Sequence, residues 1–395
     1  MTLIGWLVAV GCTAPSPDTG SSALPVVRDV SVVVPAENMP AEIRSQPAHN
    51  NLDIIEHQGR LFLAFRTAPS HFASPETVLY VISTEDEQSW RYEGSFSMNT
   101  DLREPRFLSW NDQLWLYFAE LGDSPVDFEP RGAWVSEWLG EAQWTTPQSF
   151  YEEGFIPWRA RVVDGQPLMI GYIGGENIYD INGEPLTIHL LTTEDGVTPS
   201  AALPGGPILE EGGGSESDFA ILDDGSMVIV QRDEAGSDTG WGSRICRSSP
   251  EDWSDLTCVG DPRKYDSPLV FQHGGRVWLV GRRNLTDTGH YDLAMDELSA
   301  AEQSLQYQLD YWQHPKRCSL WEVDPAALTV SFVLDLPSQG DTCFASAIAQ
   351  DDTSWLLYNY SSPIDGPDPS WLEGQNGETW IYRMILEFPF DRAAP

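Results

Sequence analysis

The stretch Asp53 to Arg66, DIIEHQGRLFLAFR, reads as strand, tight turn, strand. Ile54 and Ile55 open it, His57-Gln58-Gly59 turns it, and Leu61, Leu63 and Phe65 alternate with Phe62 and Ala64. Apolar, β-branched and aromatic runs on either side of a glycine turn are the hairpin signal. The plan recurs at Arg106 to Phe118, Arg161 to Tyr172, Phe219 to Arg232, Leu269 to Arg282 and Ala347 to Tyr358, making six copies. The turns fall near Gly59, Asp112, Gly165, Gly225, Gly275 and Asp352, about 50 to 60 residues apart except for a longer last step. One such sheet cannot bury both of its faces, so the copies must stack around an axis. The predicted fold class is all-β, a six-bladed β-propeller, and the repeat overrides the two or three domains that 395 residues would otherwise suggest.

The 16 Trp, 13 Tyr and 15 Phe supply the flat side chains that fill space between blades. The net charge of −38 repels nucleic acid and anionic lipid, which excludes those partner classes. Only Lys264 and Lys316 are lysines.

Met1 to Gly11 is short and apolar and leads into Cys12. Ala9-Val10-Gly11-Cys12 resembles the lipobox of bacterial lipoproteins. Residues 1–12 are therefore expected to be a signal peptide ending at an acylated Cys12, with no Lys or Arg before the apolar run. Residues 13–25, rich in Pro, Ser, Thr and Gly, suit a tether, and 26–395 form the propeller. The expected location is outside the cytoplasm, with the membrane reached only through the lipid. Four further cysteines, Cys246, Cys258, Cys318 and Cys343, allow three pairings. Cys246 with Cys258, and Cys318 with Cys343, is one of them. Their spacing suits no zinc site, so no metal and no cofactor are expected.

Val26 to Val34 is the expected partner of a last strand, Thr379 to Phe388. Residues 284–316 interrupt blade five. Leu298, Ala301, Leu305, Leu309 and Trp312 recur there at helical spacing, predicting a helix from Asp296 to Trp312 capped by Asp292 or Asp296. Such a helix either packs on the rim or, because it follows Arg282-Arg283, covers a site.

In a propeller the innermost strand of each blade starts at one face and the second strand returns to it. Strand starts and ends therefore converge on a central pocket. The starts bring His49, Asn50, Asp53, Asp101, Arg103 and Glu104, then Arg159, Glu216, Asp266 and Asp341. The ends bring Arg66, Arg232, Arg282, Arg283, Tyr358 and Tyr360. Arginines this scarce, gathered on one rim, suit a small anionic ligand, because a guanidinium grips a carboxylate with two parallel bonds. The alternative is that each ties blades together through a neighbouring carboxylate.

Two stretches resemble sialidases. Ser83 to Trp90, STEDEQSW, is similar to their Asp box, with Glu85 where Asp is usual and Glu87 where Gly is usual. Weaker echoes are Ser136 to Trp144 and Thr193-Glu194-Asp195-Gly196. Gly214 to Arg232 resembles the segment carrying a Glu at a blade-four strand start and an Arg at its partner's end, matched here by Glu216 and Arg232. The resemblance implies a sialidase-like propeller over roughly residues 45 to 388, with an acidic sugar as ligand. Asn50-Asn51-Leu52 stands where sialidases carry their first Arg, and Phe344 where they carry the tyrosine nucleophile. His71 or Glu76 stands in the loop that supplies their acid.

Hydrolysis of a glycoside needs two carboxyls across the scissile bond. Glu216 with Asp53, Asp101 or Asp266 are the expected catalytic carboxyls. Arg66, Arg103, Arg159, Arg232 and Arg282, with His49, Asn50, His71, Tyr358 and Tyr360, are the expected substrate contacts. The expected protein is a monomeric glycoside hydrolase or, alternatively, a non-catalytic glycan- or protein-binding propeller. There is no Gly-rich phosphate loop, Gly-x-Ser-x-Gly elbow or His-Glu-x-x-His.

Overall fold

A computed structural model describes residues 24 to 389, apart from 126 and 179 to 183. The signal peptide, Cys12 and nearly all of the tether lie outside the described residues. The chain forms six antiparallel sheets, each built outward from one of the sequence hairpins. The inner strands are Ala48–His57, Leu102–Trp110, Ile156–Val163, Ser217–Ile221, Leu269–His273 and Ser346–Ala349. Their turns use the conformations that hairpin twist demands: Asn111 and Asp112 both lie in the left-handed region (φ 50° and 62°). The ring closes as the sequence predicts. Val26–Val34 pairs with Trp380–Glu387, running from Val26 opposite Glu387 to Val34 opposite Ile381, so both chain ends share blade six.

Aromatic side chains fill the spaces between blades, with Trp115, Tyr117 and Phe118 wholly buried. Buried polar side chains then lock neighbouring blades. Asp53 accepts from Phe107 N (2.8 Å) in blade two and from Ser346 Oγ (2.6 Å) in blade six. Asp218 accepts from Val270 N (2.6 Å), tying blade four to five.

On the face opposite the strand starts, the Asp-box turn is organised one residue later than the sequence comparison suggests. Asp86 accepts from Gln88 N and Ser89 N (2.9 and 2.8 Å), and Thr84 Oγ1 accepts from Glu87 N (2.9 Å). Glu85 is exposed and pairs with Arg91. Blade three repeats this with Asp195 on Val197 N and Thr198 N and Thr193 on Gly196 N, so the working motif is Thr-Glu-Asp-Glu/Gly.

Disulfides join Cys246 to Cys258 and Cys318 to Cys343. Cys246 and Cys258 face each other across adjacent strands of blade four.

The blade-five insertion contains helix α1, Ala300–Gln313. Its cap is Ser299, in a capping box with Glu302, not Asp292 or Asp296. The predicted apolar stripe also faces the wrong way: Leu305 and Leu309 are 57% and 39% exposed. The buried face is Tyr307, Gln308 and Tyr311. The surface beneath α1 is charged, and aromatic or amide side chains with polar tips can satisfy it where leucines cannot. A short helix, α2 (Trp371–Gln375), packs beside α1, with Trp371 N donating to His314 O (3.1 Å). Among the described residues no helix is long and apolar enough to cross a membrane.

Candidate functional site

The inner strands do not enter the axis regularly. Their register slips at Asn50/Leu52, Arg103/Arg106 and Pro157/Arg159. Asn51 (φ 47°) and Glu104 (φ 50°) take left-handed backbone at the first two slips, and Ser267 (φ 52°) does so just before blade five's inner strand. Non-glycine residues held there cost energy, and such positions concentrate at functional sites.

Beneath α1, blades four and five build a closed charge network. Arg232 Nη1 lies 2.7 Å from Glu216 Oε1, 3.3 Å from Glu234 and 3.6 Å from Asp266. Lys264 pairs with Glu234 (2.9 Å), and Arg282 with Asp266 (3.0 Å) while donating to Thr342 O (2.7 Å). α1 completes the network from above: Tyr311 OH donates to Asp266 (2.5 Å) and Gln308 Nε2 to Glu234. Burial opposes the charge on Asp266, but Lys264, Arg282 and Arg232 outweigh it and hold the carboxyl at about 2. At Glu216 burial wins over Arg232 and the carboxyl is pushed up. Ser267 N donates to its second oxygen (2.6 Å).

Blades one, two and six build a second cluster. Asp101 accepts from Arg66 Nη2 (2.7 Å), Thr77 Oγ1 (2.6 Å) and Arg103 Nε. Arg66 also donates to Asn50 Oδ1 (2.8 Å). Asp341 lies 2.7 Å from His71 Nδ1 and accepts from Tyr360 OH (3.0 Å). Burial lowers His71 more than Asp341 raises it.

Glu104 differs from every carboxyl around it. Among the described residues its oxygens are met only by the Asn51 amide, at 3.1 and 3.2 Å, and it is partly exposed. Burial pushes its carboxyl up to about 7, with Arg106 pulling down and Glu216 adding to the rise. Arg106 itself is wholly buried, stacked 4.3 Å over Phe344 and 5.4 Å over Trp158, and none of its three guanidinium nitrogens has a hydrogen-bond partner.

Of the residues expected from sequence, the structure brings Glu216, Asp266, Arg232 and Arg282 into one cluster. It brings Asp101, Arg66, Arg103, Asn50, His71 and Tyr360 into the other. It holds four apart. Asp53 is consumed by the blade-locking bonds described above. Arg159 donates to Pro268 O and Ala345 O, a tie between blades. His49 bonds Thr379 O (3.0 Å). Tyr358 donates to Glu87 (3.0 Å), on the Asp-box side, next to Arg383. Sequence reasoning put Glu104 and Asp341 on the rim without choosing them, and passed over Asn51, Glu234, Lys264 and Tyr311. The scarcity of lysine was the available signal for Lys264. Phe344 packs on Arg106. Among the described residues no group of three or more His, Cys, Asp or Glu is arranged to hold a metal ion.

Fold and site together define a six-bladed propeller of the architecture that sialidases share, with a charged axial site. No family model matches the chain, and no curated protein matches it. Among solved structures, a protein of unknown function from Dyadobacter fermentans is 15% identical, with a TM-score of 0.61, covering 92% of this chain and 99% of its own. Trypanosoma rangeli sialidase in complex with the inhibitor DANA is 13% identical, with a TM-score of 0.58, covering 91% of this chain. The same sialidase with sialic acid gives 12% and 0.53. This chain spans 60% and 57% of those two sialidase chains. At these identities the likeness is one of fold.

Proposed function

We propose that the protein is a carbohydrate-active propeller, a glycoside hydrolase acting on an acidic or modified sugar at the axis. One observation carries the reading: Glu104 is a partly exposed carboxyl whose oxygens meet only the Asn51 amide among the described residues, and burial pushes it up to about 7. A carboxyl half protonated near neutral pH suits a general acid. Glu104 gives its proton to the leaving oxygen as the glycosidic bond breaks. Glu216, steadied by Arg232 and Ser267 N, takes the proton of the attacking water. Arg103, Arg232 and His71 are the partly exposed cationic or hydrogen-bonding edges beside them, and suit a carboxylate on the sugar.

The test is turnover of a panel of aryl glycosides, acidic and neutral, by wild type and Glu104→Gln. Turnover by wild type with a loss of about 100-fold or more in the variant supports the reading. Equal rates in the two proteins would sink it. A second reading, a glycan-binding propeller without chemistry, is favoured by the way Asp53, Asp101, Asp266 and Glu216 are each tied to protein donors. It predicts sugar binding and no turnover.

A further inference from the structure

The two axial clusters differ in what their cations have left to offer. Arg232 lies among Glu216, Glu234 and Asp266, so three acids draw on its charge. Arg66 and Arg103 share the one carboxyl of Asp101. Arg66 is wholly buried and also donates to the carbonyls of Ser70 and Phe72. Arg103 keeps a free edge. Its Nε goes to Asp101 and its Nη2 to His71 O (2.5 Å), while Nη1 bonds nothing among the described residues and is open to solvent, on a side chain 13% exposed.

His71 is held beside that edge. Its backbone N donates to Gln375 O of α2 (3.0 Å), and its O accepts from Arg103. Asp341 Oδ2 fixes the ring, 2.7 Å from Nδ1 and nearer than the Asn50 amide at 3.1 Å. The other oxygen of Asp341 accepts from Tyr360 OH (3.0 Å), so the carboxylate is an acceptor on both sides and Nδ1 carries the hydrogen. In the neutral ring the lone pair then falls on Nε2. That nitrogen bonds nothing among the described residues and is open to solvent, on a side chain 17% exposed. A lone pair repels a carboxylate, and the imidazolium attracts one.

The charges around His71 set the terms. Asp341 faces it, with Tyr360 and Arg282 acting on Asp341; Arg66 and Arg103 face it, with Asp101 and Glu104 beside them; α2 adds the Gln375 carbonyl. Burial lowers His71 further than Asp341 raises it, so the ring of the free protein is neutral near pH 7. Arg66 and Arg103 then balance Asp101 and Asp341. A carboxylate added alone would leave a part-buried negative charge in excess. A carboxylate with a proton on His71 restores the balance.

We infer that Arg103 Nη1 and His71 Nε2 together hold the sugar's carboxylate, and that it binds with one proton drawn from water onto Nε2. The inference rests on the reading of the axis as a site for an acidic sugar. It assigns the anion to blades one and two and makes its grip depend on pH.

The experiment is calorimetric titration of the whole protein with glucuronic, galacturonic and N-acetylneuraminic acids, with acetate, glucose and galactose as controls. Glu104→Gln serves as the parent, because Glu104 titrates in the same range. The expected result is an acidic sugar that takes up close to one proton, read from its heat in two buffers of different ionisation heat. By reciprocity its affinity should fall about tenfold per pH unit above 6.5, where the free ring has lost its proton, until the bound ring loses its own. Acetate should bind at least about tenfold more weakly than the sugar acid. In this parent His71→Gln should bind at least about tenfold more weakly at pH 6.5, with neither uptake nor slope, and Arg103→Met should weaken binding as much at every pH and keep the slope. Melting temperatures show whether each variant is folded, and proton uptake is read on the parent itself, so a variant that fails to fold leaves the question decidable. The inference is overturned if no acidic sugar binds, if one binds without proton uptake, if acetate binds as tightly, or if either folded variant behaves as the parent does. Turnover of neutral glycosides alone by wild type would keep the hydrolase reading and remove this carboxylate site. Proton-linked binding without turnover would keep the site and remove the hydrolase.

Discussion

Glu104→Gln should make the protein more stable at neutral pH while removing the turnover proposed for it. Glutamine has the shape of protonated glutamate and cannot ionise. Its oxygen keeps a bond from Asn51 Nδ2, and its amide can donate to Asn51 Oδ1, which is buried without a partner. The wild-type carboxyl ionises near 4.5 when unfolded and at about 7 when folded. Below pH 4.5 it is protonated in both states and the two proteins should be equally stable. Between pH 4.5 and 7 the unfolded chain releases a proton that the folded chain keeps, so wild type loses stability relative to the variant. At about 1.4 kcal/mol per pH unit, the gap should reach about 3 kcal/mol and stay level above pH 7. Solvent contact at Glu104 makes that figure an upper bound. Urea melts of both proteins from pH 4 to 8.5 measure it. Activity should run the opposite way, falling about tenfold per pH unit above pH 7 in wild type as the acid loses its proton. A gap that is flat in pH, or that favours wild type, would mean Glu104 is ionised and paired at neutral pH, and the argument for it as the acid would fail.

Arg232→Met should cost about 3 to 5 kcal/mol in urea unfolding, because Glu216, Glu234 and Asp266 would remain buried around a lost cation. A loss under 1 kcal/mol would show that the three acids share Lys264 and Arg282 instead. Tyr311→Phe deletes the bond from α1 to Asp266 and should cost about 1.5 to 3 kcal/mol, with faster amide exchange confined to α1 and α2. Uniform exchange across the helix pair in both proteins would refute the idea that this hydroxyl docks α1. Replacing Cys246 and Cys258 by Ser should cost about 3 kcal/mol, and thiol alkylation of the unreduced, denatured protein should label none of Cys246, Cys258, Cys318 and Cys343.

The six hairpins, the ring closure and the insertion were legible in the sequence because period-two patterning, turn residues and a broken repeat are local signals. The face of α1 was not. Its leucines at Leu305 and Leu309 obey helical spacing, yet the partner surface is a charge network assembled from blades four and five, which no local pattern reveals. Geometry placed Glu216, Arg232, Asp266 and Arg282 together correctly because strand starts and ends must converge. It misplaced Asp53 and Tyr358 because alternation along a strand and one register slip decide whether a side chain turns to the axis or to the next blade. Asp53 stands three residues past the start of blade one's bulge and meets Phe107 and Ser346.

The distribution of charge says more about this protein than its sum. At −38 the surface can spare few cations, and both lysines are buried: Lys264 under α1, and Lys316 beside it, donating to Asn284 Oδ1 and His314 O. Asp101 holds two arginines, Asp266 is within reach of Arg282, Arg232 and Lys264, and Glu234 holds Lys264. A chain short of cations that commits them to these acids leaves Glu104 with only an amide. Arg106, the guanidinium whose charge acts on it most, is turned to Phe344 and bonds no acid among the described residues. If the cluster served stability alone, the cheapest change would be to place Gln at 104, which keeps the Asn51 bond and removes the ionisation cost. An ionisable group at this left-handed position, met by an amide and by no cation within 4 Å among the described residues, is the physical reason to look for the proton there.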